Sequence, residues 1–186
     1  MRLSVPLLLG LVYVSSEIVL SISRRSRSKG QSEDRGSLPV LWLVIILAIF
    51  LAMFAANRFR FAFVPYRWVT FIGILIFVAG IALRWYSILH LGRFFTVDVA
   101  IAKEHKVIDS GPYKFLRHPS YTGALLAFAG FGLCLHNWIA VLAILLPVTA
   151  AFLWRISVEE QALNRALGDD YGNYAARTKR LLPFLY

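Results

Sequence analysis

Polar breaks cut this chain into apolar runs, several of them long enough to cross a bilayer, and that pattern constrains the fold more than any other feature. The first run is Leu3 to Ile22, with a single acid, Glu17. The second, Leu38 to Ala56, carries no charge, and the third, Trp68 to Leu83, is closed by Arg84. Tyr121 to Leu135 and Trp138 to Trp154 follow, with Pro147 as an expected kink in the last. A transmembrane helix needs about 20 apolar residues. Composition agrees: 59% of residues are hydrophobic and 16% charged, against roughly 45–50% and 25% in ordinary globular domains. A soluble fold of 186 residues cannot hide that much apolar surface, whereas lipid-facing helices need no polar side. The expected fold is all-α, a multi-pass integral membrane protein of about five transmembrane helices. It forms one membrane domain over 1–186, with three spans in 1–83 and two spans, a loop and a tail in 84–186.

The net charge of +10 then has a simple meaning, because cytoplasmic loops of membrane proteins collect Lys and Arg. With the N-terminus outside, 16 of the 20 basic residues fall inside, in segments 24–35 and 84–118 and in the tail from Arg155. The opposite orientation inverts that bias. The basic cluster follows the first apolar run instead of preceding it, so the run reads as a retained span and not as a cleaved signal peptide. No basic, aromatic-interleaved platform for nucleic acid is present. The lone Cys134 sits in an apolar run and reads as a buried thiol.

Polar groups beside a membrane are costly without a partner or a job, and they gather in two places. One runs from His105 through Lys106, Val107, Ile108, Asp109, Ser110, Gly111, Pro112 and Tyr113 to Arg117, His118, Pro119, Ser120 and Tyr121. The other is Arg155 to Glu160 at the end of the fifth run. The tight break at His136 and Asn137 makes the fourth and fifth spans an antiparallel hairpin, which brings the two clusters to the same side. Arg117-His118-Pro119 could be a membrane-interface anchor, and Arg155 with Glu159, four apart on one helix face, could be a surface ion pair. His90, His105, His118 and His136 show no metal-ligand spacing, so no metal is expected. No phosphate loop or complete dinucleotide fingerprint is present. Gly130 and Gly132 read as helix–helix packing positions.

The ordered set Gly111-Pro112-Tyr113, Arg117-His118-Pro119-Ser120-Tyr121-Thr122-Gly123, an apolar hairpin and Glu159-Glu160 resembles the isoprenylcysteine carboxyl methyltransferase family. The tail continues the likeness with Leu167 to Tyr171, Tyr174 and Leu182-Pro183-Phe184. The resemblance implies a membrane methyltransferase using S-adenosylmethionine, with the cofactor pocket at the cytoplasmic surface between the last two spans and the tail. It also implies cofactor contacts at His105, Lys106, Val107, Ile108, Tyr113, His118, Pro119, Ser120, Tyr121 and Glu159. Lys106 and Ser120 fall where the family varies, which favours backbone contacts there. Arg155 falls on the substrate-contacting arginine, so Arg155 and Glu159 are the expected catalytic pair, with His118 bonding the cofactor's carboxylate or orienting Tyr121. The acceptor would be a lipophilic, prenylcysteine-like carboxylate entering from the bilayer, with membrane lipids as the other partner. Alternatives are a phospholipid or small amine or thiol acceptor, or, in another class, an NADPH-dependent sterol-type reductase. A non-enzymatic scaffold would leave both polar clusters without a job.

Overall fold

With no water to satisfy N–H and C=O groups inside a bilayer, a spanning segment closes its hydrogen bonds within itself, and each apolar run here is a helix. The computed structural model describes residues 4–23, 36–59, 66–95 and 106–182. Six helices are present among them: α1 (Val5–Ser23), α2 (Ser37–Arg58), α3 (Tyr66–Leu91), α4 (Pro119–Cys134), α5 (Trp138–Leu167) and α6 (Asp169–Arg177). Four of them (α1, α2, α3 and α5) are long and apolar enough to cross a membrane by length and composition. α4 is shorter, at 16 residues, or about 24 Å against a hydrocarbon core of about 30 Å. It is also the most enclosed, so the expected five spans become four long helices around one short, buried one.

Packing is pairwise, α3 on α4 and α2 on α5, with α4 and α5 joined as the expected hairpin. Gly80 in α3 faces Gly123 in α4. A Cβ on Gly123 would lie 2.6 Å from both the Arg84 amide nitrogen and the Gly80 carbonyl oxygen. Gly73 and Gly130 repeat the approach further along, where a Cβ on Gly73 would stand 2.9 Å from the Gly130 carbonyl oxygen. Lipid offers no hydrophobic drive between helices, so small residues that let backbones touch supply the packing. The turn between α4 and α5 holds His136 at φ 55°. Asn137 caps α5 by accepting from the Ala140 amide at 3.1 Å, and its own amide donates to the Phe59 carbonyl at 2.6 Å.

Two helices run on past the apolar runs of the sequence. α3 does not stop at Arg84 but runs on to Leu91, because that guanidinium is not at a membrane surface; it is buried against Glu17 of α1. α5 runs through Pro147 and on to Leu167, past Trp154 where the apolar run ends. Its 30 residues reach about 45 Å, so the last turns extend past the hydrocarbon. Gly168, with φ 54°, ends α5, and Asp169 is the first residue of α6, whose N-terminal end no side chain caps. Asp169 and Asp170 instead place negative charge in the first turn, where the helix dipole favours it.

A candidate active site between the helix ends and the tail

One cavity gathers the polar residues. It is lined by the C-terminal ends of α1, α3 and α5, the N-terminal ends of α2 and α4, the segment 106–113 and α6. Alternating up and down helices put those ends on one side of the bundle. The cavity and its open mouth together hold about 1330 Å³ of empty space. Tyr13 and Leu20 of α1, Leu41, Trp42 and Ile45 of α2 and Phe152 of α5 make part of the lining apolar.

Tyr121 is the hinge of the polar part. Arg155, 3% exposed, donates through Nε to the Tyr121 hydroxyl at 3.1 Å and through Nη1 to the Ser37 hydroxyl at 2.7 Å. The Tyr121 hydroxyl in turn donates to Glu159 at 3.1 Å. Arg155 and Glu159 therefore share a face as their spacing implies, but Tyr121 joins them, and the pair lies in the cavity, not on an outer surface.

The two adjacent glutamates have separate tasks. Glu159 faces the cavity with its side chain 32% exposed. Glu160 points away and binds the tail: Arg117 Nε donates to it at 2.7 Å, Arg180 Nη2 lies 2.8 Å away and His118 Nε2 3.3 Å away. Arg117 also donates to the Ala175 and Thr178 carbonyls. The tail runs beside the Arg117–His118 segment, with the Arg117 amide donating to the Lys179 carbonyl at 2.7 Å and the His118 amide to that of Arg180 at 3.1 Å. On α6, Tyr174 donates to the Tyr113 carbonyl at 2.8 Å, and burial raises its pKa, as it does those of Tyr113 and Tyr171. All three are neutral phenols at physiological pH.

Of the residues singled out from the sequence, Lys106, Val107, Ile108, Tyr113, His118, Ser120, Tyr121, Arg155 and Glu159 line this cavity. Pro119 does not line it. It is buried and starts α4, where a missing N–H costs nothing. His105 lies outside the described residues. His118 is 5% exposed, with its ring 5.7 Å from that of Tyr121.

Sequence reasoning missed Glu17 and Arg84. They form a two-pronged ion pair, Nε to Oε1 at 2.7 Å and Nη2 to Oε2 at 2.9 Å, and Arg84 Nη1 also reaches the Ser120 carbonyl at 3.3 Å. Trp85 adds a bond to the Ser16 hydroxyl at 2.7 Å. These contacts hold α1, whose other face is apolar and exposed, against α3. The signal was available: Glu17 is the one acid in its span, and an intramembrane charge implies a partner.

A sequence model of the isoprenylcysteine carboxyl methyltransferase (ICMT) family matches residues 71–165. Over 120 residues the chain is 35% identical to protein-S-isoprenylcysteine O-methyltransferase B of Arabidopsis thaliana, an alignment covering 63% of this chain and 61% of that protein. The human protein-S-isoprenylcysteine O-methyltransferase is 32% identical over 120 residues, covering 63% of this chain and 42% of that one. The chain thus spans about three fifths of the plant relative's length. Among solved structures, that of the eukaryotic intramembrane Ras methyltransferase ICMT superposes with a TM-score of 0.63 at 25% identity, covering 79% of this chain and 53% of that one. The matched residues include α4, its Arg117-His118-Pro119 entry and the Arg155–Glu159 turn of α5, and on that agreement this integral membrane protein belongs to the isoprenylcysteine carboxyl methyltransferase family.

Proposed function

We propose that the chain transfers a methyl group from S-adenosylmethionine to the carboxylate of a lipophilic, prenylcysteine-like acceptor that enters from the bilayer. The observation that carries this is a buried arginine and a part-exposed glutamate facing one cavity, joined by a shared tyrosine hydroxyl. The family's relatives are named for that carboxyl methylation, which favours this acceptor over a phospholipid, amine or thiol and disfavours the reductase reading.

The lining fits the cofactor. Glu159 offers a carboxylate for a cationic end, while Val107, Ile108, Tyr113, Leu163 and Leu167 offer apolar and aromatic surface for a nucleoside body. Bound there, the cofactor supplies an electrophilic methyl on a sulfonium. Displacement at that carbon needs no proton, so the protein's work is alignment. Arg155 holds the acceptor carboxylate, its guanidinium oriented by Tyr121 and Ser37. Tyr121 couples the acceptor-binding arginine to the cofactor-binding glutamate. The apolar lining from α1 and α2 receives the lipid tail and keeps water away, which strengthens every charge interaction inside.

The protein in lipid nanodiscs, given S-adenosylmethionine labelled on the methyl and N-acetyl-S-farnesylcysteine, should form a labelled ester that releases methanol in base. Base-stable label, or label on phospholipid, would assign another acceptor. No transfer to any of these acceptors would overturn the reading.

The site faces the cytoplasm in this proposal, with the N-terminus outside. Topology reporters fused after Gly36 and after Tyr186 should both report cytoplasm; an external signal at either would reverse the orientation.

A further inference from the structure

α6 presents two tyrosines three residues apart, and only one has structural work. The Tyr174 hydroxyl ties the tail to the Tyr113 carbonyl at 2.8 Å and to the Leu116 carbonyl at 3.4 Å. The Tyr171 ring packs 6.0 Å from it and is 3% exposed, yet its buried hydroxyl has no hydrogen-bond partner among the described residues. Tyr171 lines the cavity. A buried hydroxyl without a partner costs free energy, and Phe would avoid that cost at the same volume. The hydroxyl therefore needs a partner that the described residues do not supply.

Its surroundings narrow what that partner is. Burial first, then the charges of Glu160 and Glu159, push the phenol's pKa up, so it stays protonated and donates. Its ligand must offer an acceptor oxygen or nitrogen in the neighbourhood of Glu159. This inference rests on the reading above, with Glu159 meeting the ammonium as the cofactor's cationic end, and that group shares a carbon with a carboxylate. Two other donors beside Glu159 already meet a carboxylate. His118 and Arg117 are engaged with Glu160, and Lys106 is exposed. We propose that the Tyr171 hydroxyl donates a hydrogen bond to the carboxylate of S-adenosylmethionine, making it a cofactor-binding residue.

Tyr171→Phe separates this from a packing role. Titration calorimetry would use S-adenosylmethionine and its decarboxylated form, which keeps the ammonium and sulfonium. The ligand-free variant should melt at or above the wild-type temperature, because it loses only an unsatisfied group. Its affinity for S-adenosylmethionine should fall about tenfold, the effect of one hydrogen bond to a charged group. On the decarboxylated ligand, Tyr171→Phe and wild type should bind alike. Equal affinity of variant and wild type for S-adenosylmethionine would overturn the proposal, as would an equal loss on both ligands or a lower melting temperature without ligand. Failure of the wild type to bind either ligand would overturn the methyltransferase reading itself, which is a distinct result.

Discussion

Arg155→Ala is expected to abolish most methyl transfer, by about 100-fold or more at saturating cofactor, since a misplacement of about 1 Å can cost that much. Arg155 is the buried cation whose neighbours in the cavity include two hydroxyls, those of Tyr121 and Ser37. Those bonds set the plane of the guanidinium, and with it the position of an acceptor carboxylate. Without Arg155 the acceptor keeps its apolar contacts but loses its orientation. Cofactor affinity should stay within about twofold, because Glu159 and the 106–113 segment are untouched; a hydrogen bond to a charged group, if lost, would show as a larger change. Arg155→Lys should recover only part of the rate, since an ammonium lacks the planar fork. Turnover and cofactor binding measured on the same preparations decide the matter: wild-type turnover in Arg155→Ala would dismiss the acceptor-binding role.

Glu159→Gln should show the reverse pattern. The substitution is isosteric, and an amide oxygen can still accept from Tyr121 at the observed 3.1 Å, so Arg155 keeps its support. What disappears is the negative charge. One charge-assisted hydrogen bond contributes about 1.5–3 kcal/mol. The side chain is 32% exposed, so solvent screening holds the effect to the lower end, about tenfold in cofactor affinity. Calorimetry with S-adenosylhomocysteine, the demethylated product, adds a test of which charge Glu159 meets. It lacks the sulfonium but keeps the ammonium. A penalty equal to that on S-adenosylmethionine places Glu159 at the ammonium, and a smaller one places it at the sulfonium. Unchanged affinity for both would remove Glu159 from the cofactor site.

The contrast between Glu159 and Glu160 shows where sequence reading stops. As neighbours they look alike, and both match the family's pair. A helix sends adjacent side chains about 100° apart, and the tail decides what each meets. Arg117 and Arg180 close on Glu160, leaving Glu159 to the cavity. Arg117 lies 43 residues away in sequence, a separation that no local pattern carries.

Hydrophobic run length by itself determined the helices, their number to within one and the hairpin at His136, because backbone satisfaction in lipid is a local requirement. The ordered polar motif determined the family and nine residues that line one cavity. Helix ends set by charge were misplaced. Arg84 and Arg155 both look like membrane boundaries in the sequence, yet each is buried with partners from distant helices, Glu17 of α1 and Ser37 of α2. Only the tertiary structure could show that, since the cost of a charge depends on what stands opposite it. The same holds for Tyr171 and Tyr174. Spacing puts both on one face of α6, but only the packed tail leaves one hydroxyl bonded to the protein and the other without a partner among the described residues.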